Sequence, residues 1–129
     1  GSQCIVGQVD IKRIDFPWGH WSAMTNNGRD LYQDATLWAA ELVDRGIGEL
    51  LITSVDKDGT LTGLERSFIN QLSVDVPVVL SGGCSGTDDA ARAFATGADG
   101  IAIGRWLHDG GDLSRMKDDL SVRGVEVRV

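Results

Sequence analysis

Four short apolar runs recur along the chain with helical patterns between them: Cys4–Asp10, Leu50–Ser54, Val76–Leu80 and Gly100–Ile103. Each is too short for a helix and rich in β-branched or aliphatic residues, and each ends on polar residues or glycine. Such runs read as buried strands. Strands alternating with helices build a parallel α/β sheet, and the residues just beyond the strand ends are where such sheets bind ligands. The order predicts four β-α units. At 129 residues the chain has half the length of a complete (β/α)₈ barrel, which takes roughly 250 residues. The fold expected is therefore α/β, half of a TIM barrel, with no close sequence repeat between its units.

The connecting segments carry start and stop signals. Ile14 to Tyr32 holds turn formers and aromatics around Asn27-Gly28, a hairpin signal, so a small β-excursion is expected there. Asp34 caps a helix with Leu37, Trp38, Leu42 and Val43 at helical spacing, ended by Gly46. A polar loop from Asp56 to Gly63 leads into a helix over about Leu64 to Ser73. Thr87, or Ser85 before it, caps a helix through Ala91, Phe94 and Ala95 to Gly97. The last helix starts near Asp112, sets Leu113, Met116 and Leu120 on one face, and stops at Gly124. Gly1-Ser2 reads as a tag remnant, leaving 3–129 as a single half-barrel domain.

Hydrophobic residues make up 42% and charged residues 24%, an ordinary globular balance that argues against disorder and membrane insertion. The net charge of −7 and pI near 4.6 come without a basic face, so nucleic acid is not an expected partner. No signal peptide or membrane-length apolar run is visible, which points to the cytoplasm. Cys4 and Cys84 are isolated and only His20 and His108 could join them, so no zinc set forms. Asp56 and Asp58 lack the further ligands of a calcium loop. Neither a metal nor a cofactor is called for.

Ser81-Gly82-Gly83 and Gly104-Arg105 directly follow the last two strands. Glycines let the backbone approach a phosphate, and helix starts add N–H donors and a positive dipole end. The loops after the last two strands are the usual phosphate site of such barrels. Asp10 ends the first strand on a carboxylate placed for general acid or base work, or else for a salt bridge with Lys12 or Arg13. Thr53-Ser54-Val55-Asp56-Lys57-Asp58-Gly59-Thr60 crowds hydroxyls and carboxylates beyond the second strand, as substrate-polarising groups on a rim loop. Trp38 and Trp106 read as core or interface residues. Trp18 and Trp21 read as parts of a packed loop, and His108 as a helix-associated residue.

Taken together these segments resemble the cyclase-subunit family of imidazole glycerol phosphate synthase, among the half-barrel duplicates of histidine biosynthesis. The string from Gly48 to Thr60 is similar to that family's sixth-strand segment, and Val9-Asp10-Ile11-Lys12-Arg13 to the end of its fifth. Ser81-Gly82-Gly83 and Gly97-Ala98-Asp99-Gly100 resemble its seventh and eighth strands, and Gly124 to Arg128 its C-terminal tail. The resemblance implies Asp10 as catalytic acid or base, with Asp58 beside it. It places Lys12, Thr53, Asp56, Gly59 and Thr60 at the substrate and Ser81, Gly82, Gly83, Gly104 and Arg105 at a phosphate. The implied reaction closes a ring on a phosphorylated ribulosyl aminoimidazole-carboxamide compound, with ammonia from a glutaminase partner.

Two departures stand out. The family's other catalytic aspartate, on its first strand, has no counterpart here, and Gly104-Arg105 replaces a small-residue pair and looks more like the sister Amadori isomerase. A non-catalytic phosphate-ligand binding or assembly module is the alternative from another class. Four units alone leave open strand edges, so a homodimer is expected, with the Cys4–Asp10 edge of one copy against the Gly100–Ile103 edge of the other.

Overall fold

The computed structural model describes residues 5–15, 19–25 and 30–125. Six strands form one sheet in the order β3-β2-β1-β4-β5-β6. β1 (Val6–Ile14), β4 (Glu49–Ser54), β5 (Val78–Ser81) and β6 (Gly100–Ala102) are its parallel strands. β2 (His20–Thr25) and β3 (Asp30–Asp34) add an antiparallel hairpin outside β1. The sheet is open, and the four parallel strands with their connections are half of a (β/α)₈ barrel.

Strand β1 continues past the expected end at Asp10, because Ile11 to Ile14 pair with Ala23 back to His20 of β2. Val6 to Ile11 pair with Glu49 to Ser54 on the other side. The Asn27-Gly28 hairpin signal, Cys4, Trp18 and the Gly1-Ser2 pair lie outside the described residues.

Asp34 does cap α1 (Ala35–Asp44), its carboxylate accepting from the amides of Thr36 at 2.9 Å and Leu37 at 3.2 Å and from the Thr36 hydroxyl. Burial pushes the Asp34 carboxyl up, but these bonds and the nearby His20 outweigh it, and the group is held below its ordinary value. Gly46 follows the helix at φ 101°. Ala35 and Ala39 are the buried positions of α1, whereas Leu37, expected on the apolar face, is 66% exposed. Trp38 packs edge-on to Tyr32, with the Arg45 guanidinium over its ring.

The helix expected over Leu64 to Ser73 is replaced by a single 3₁₀ turn, Ile69–Gln71. Its backbone bonds run from Ile69 to Arg66, Gln71 to Phe68 and Leu72 to Ile69, one residue tighter than an α-helix. The Leu64 amide bonds instead to the Asp89 carboxylate. This tighter path seats Leu64 and Phe68 in the core, at 3% and 0% exposed.

α2 (Thr87–Thr96) is capped by neither Thr87 nor Ser85. Gly86 is its N-cap at φ 140°, with no side-chain capping bond. β6 stops at Ala102, and a short helix, α3 (Arg105–His108), follows at once. Asp112 caps α4 (Leu113–Val122) through the Arg115 amide, and Met116 and Leu120 are buried on it while Leu113 is 37% exposed.

Side chains alternate across the strands. Val9, Ile11, Leu50, Ile52 and Leu80 face the helical layer and are at most 1% exposed. With Phe68, Trp21, Ala90 and Ala93 they form the core. The other face carries Gln8, Asp10, Leu51, Thr53, Val79 and Ser81, none of them buried.

Candidate functional site

The register of the four parallel strands determines which tips meet. Asp10 pairs with Thr53, Thr53 with Ser81, and Ser81 with Ala102. These residues form one row across the open face at the C-terminal ends of the strands. The row below runs Gln8, Leu51, Val79 and Gly100, with Gln8 its one polar side chain. Along the rim row a carboxylate, two hydroxyls and then a methyl succeed one another in a single line.

Beyond β5 and β6 the row opens into a cleft of about 170 Å³. Seven of the residues expected at the site line it: Asp58, Gly59, Ser81, Gly82, Gly83, Gly104 and Arg105. Gly82 and Gly83 have φ 95° and 91°, a conformation strained for any residue with a side chain. A Cβ on Gly82 would meet the Ser54 carbonyl at 2.9 Å, and one on Gly83 the Gly63 carbonyl at 2.6 Å. Those glycines therefore let the β5 loop lie against the β4 loop. Gly104 differs, since a Cβ there would meet open space.

Arg105 spans the cleft mouth. Its Nε donates to Asp109 at 2.9 Å and its Nη1 to the Gly59 carbonyl at 3.1 Å, tying α3 to the β4 loop. The Asp58 amide bonds back to the Ser54 carbonyl at 3.0 Å, which turns the chain sharply after β4.

The remaining site residues lie outside this lining. Asp10 accepts from Gln8 at 3.2 Å. The salt bridge read for it with Lys12 or Arg13 does not form: Lys12 pairs with Asp56 at 2.8 Å and Arg13 with Asp15 at 3.4 Å. Residues adjacent on a strand point to opposite faces, which separates Asp10 from Arg13, while Lys12 reaches across to the β4 loop. The Thr60 hydroxyl donates to the Lys57 carbonyl at 2.6 Å and so shapes the turn.

Two residues of this region escaped the sequence reading. Cys84 lines the cleft. Burial pushes its thiol up; the bond to the Gly86 carbonyl opposes this, and the Asp89 charge adds to it. Asp89, an acidic residue in the first turn of α2, is 5% exposed and bonds the amides of Leu64 and Ser85. Its signal was an acidic residue three places after a glycine cap, the position from which a side chain reaches back to the helix start.

A larger groove of about 310 Å³ runs past Lys57, Arg66, Asn70 and Thr96, away from the row, and its Lys57 and Glu65 pair with each other at 2.7 Å. Among the described residues, no group of three or more His, Cys, Asp or Glu side chains could hold a metal ion. No helix among them is long and apolar enough to cross a membrane.

A family model described as histidine biosynthesis protein matches residues 1–112. Imidazole glycerol phosphate synthase subunit HisF of Helicobacter hepaticus is 37% identical over all of this chain and 52% of its own length. The protein of the same name from Campylobacter concisus is 36% identical over all of the chain and 51% of its own. That from Myxococcus xanthus is 42% identical over 99% of the chain and 51% of its own. The chain thus spans about half the length of these curated relatives. Its parallel half-barrel and the extent of these matches agree, and the chain belongs to the histidine biosynthesis protein family.

Proposed function

We propose that this chain is a cyclase-type half-barrel of imidazole glycerol phosphate synthase. In this reading it holds a phosphorylated ribulosyl aminoimidazole-carboxamide ligand at the strand tips, with Asp10 as acid or base. The observation that carries the reading is the row Asp10, Thr53, Ser81, which leads in register from a carboxylate to a glycine-walled cleft. Backbone amides around Gly82 and Gly83 and the Arg105 guanidinium supply the donors a phosphate needs. Thr53 stands in the row between that end and Asp10, where the reacting part of the ligand lies, and Asp58, in the cleft lining, is a further carboxylate for proton transfer.

The family resemblance implies that ammonia reaches the ring closure from a glutaminase partner, and the relatives are named as one subunit of a synthase. A second copy of this chain supplies the facing carboxylate. In support, among the described residues β6 has one edge without a strand partner and the Val6 to Asp10 stretch of β1 has none on its hairpin side. Ile5 and Val6 are each 52% exposed there. Such edges and apolar surface favour closure by a partner. Sedimentation equilibrium should return about twice the 13.8 kDa chain mass or a multiple of it; a folded, non-aggregating monomer defeats the dimer.

The test of function combines turnover and binding. With ammonia and the ribulosyl substrate, Asp10→Asn should lose about 10²–10⁴-fold in kcat while inorganic phosphate still raises its Tm. Gly104→Val, whose side chain extends into free space at the cleft mouth, should abolish the phosphate-induced rise in Tm without unfolding the protein. Phosphate binding by the wild type with no turnover selects a non-catalytic binding module instead. Amadori rearrangement of the corresponding ribosylamine to the ribulosyl compound selects the isomerase reading that Gly104-Arg105 suggests.

A further inference from the structure

We infer that Asp89 is a positioning residue that locks the two loops of the cleft into one unit; the inference rests on the phosphate reading of that cleft. The cleft is walled by the β4 loop, through Asp58 and Gly59, and by the β5 loop, through Ser81 to Cys84. Neither loop belongs to regular structure, and a phosphate cradle made of backbone amides works only if those amides are held in place before the anion arrives.

Two sets of bonds join the loops. The Gly63 amide donates to the Gly83 carbonyl at 2.7 Å. Deeper, a single oxygen of Asp89, Oδ2, accepts from Leu64 at 2.9 Å, at the end of the β4 loop, and from Ser85 at 3.1 Å, at the end of the β5 loop. Both donors are backbone N–H groups, and that of Leu64, in the core, would otherwise be left without a partner. One carboxylate oxygen offers two lone pairs, and its place in the first turn of α2 favours the negative charge. The acceptor thus sits on a rigid helix and reaches both loops from behind, clear of the cleft lining.

A carboxylate close to an anion site repels the anion, so its presence here is explained by geometry and not by charge. Asparagine keeps one oxygen for the two amides and removes the charge. Glutamate keeps the charge and moves the oxygens by one methylene. Position and charge are therefore separable.

The test measures inorganic phosphate affinity by calorimetry, and backbone amide exchange residue by residue, for wild type, Asp89→Asn, Asp89→Ala and Asp89→Glu. Asp89→Asn should bind phosphate at least as well as wild type, with the Leu64 and Ser85 amides still protected. Asp89→Ala and Asp89→Glu should bind at least about tenfold more weakly, with those two amides exchanging fast while Ile52 and Leu80 stay protected. If Asp89→Ala fails to fold, Asp89→Glu carries the comparison. The inference falls if a folded Asp89→Ala or Asp89→Glu binds like wild type, if Asp89→Asn loses as much as they do, or if neither of the two folds. A wild type with both amides protected, both amides released in Asp89→Ala, and no phosphate affinity supports the clamp and overturns the phosphate reading alone.

Discussion

The two faces of the parallel sheet are built from the same four strands, yet they are different environments. On the helical side Val9, Ile11, Leu50, Ile52 and Leu80 are sealed by Phe68, Ala90, Ala93 and their neighbours. On the other side Leu51 and Val79 sit half-buried beneath a polar rim of Asp10, Thr53 and Ser81. The covered face holds the buried core, and the uncovered face carries the polar rim. A residue's consequence thus follows from which way its side chain points, and one step along a strand reverses it.

The largest contrast should come from truncating each face. Phe68→Ala, at a fully buried site, should cost about 3–5 kcal/mol, whereas Leu51→Ala should cost about 1 kcal/mol at low protein concentration. Urea unfolding at several concentrations sharpens the comparison. If the Leu51→Ala cost rises with concentration, a second copy covers that face; if it equals the Phe68 cost at every concentration, the two faces are alike and the comparison is broken.

Next come the two kinds of cleft glycine. Gly83→Ala forces a side chain into the left-handed region and against the Gly63 carbonyl, at about 1–3 kcal/mol. Gly104→Ala, at φ −121° with open space around it, should be neutral or stabilise by up to about 1 kcal/mol. Thermal melts compare them directly, and equal losses would mean that the glycines serve the same purpose.

A smaller effect belongs to the helix cap. Asp34→Ala should cost about 1 kcal/mol at neutral pH. Because the folded carboxyl is held below its ordinary value, this contribution is fully present above about pH 4 and is lost as pH falls through the depressed value. Wild type and variant should therefore converge in acid; a gap that persists there would assign the loss to packing.

The smallest effect is on the rim. Lys12 and Asp56 pair at 2.8 Å with side chains 40% and 53% exposed. Lys12→Met should change stability by no more than about 1 kcal/mol, in contrast to its expected effect on ligand affinity. A larger loss of stability in urea would make the rim part of the scaffold.

The periodicity of β1, β4, β5 and β6 and the capping residues Asp34 and Asp112 were legible in the sequence because they depend on local chemistry. Glycines after strands pointed to Ser81, Gly82, Gly83, Gly104 and Arg105, and the family resemblance to Asp58 and Gly59; these seven line one cleft. The segment after β4 was misread. Leu64, Phe68 and Leu72 are spaced like a helix, but the Asp89 carboxylate, distant in sequence, takes the first amide and the chain winds more tightly. The Thr87 and Ser85 caps failed because Gly86 takes the cap position at φ 140°, with no side-chain capping bond. Leu37 and Leu113 were misplaced because helical spacing does not reveal how far the neighbouring layer extends. Asp10 and its row needed the strand register, which no single segment contains.

The hairpin on β1 has one more consequence. Strands β1 and β2 are neighbours in the chain, while β1 and β4 meet only across the hairpin and α1. Short loops close faster than long ones, and hairpins form in about 1–10 μs. The half of β1 beyond Asp10 is therefore set early, while the half that carries Val6 to Asp10 waits for a strand made much later. During synthesis that stretch is made before its partner β4 and stays uncommitted until β4 follows, and the hairpin anchors its far end in the meantime.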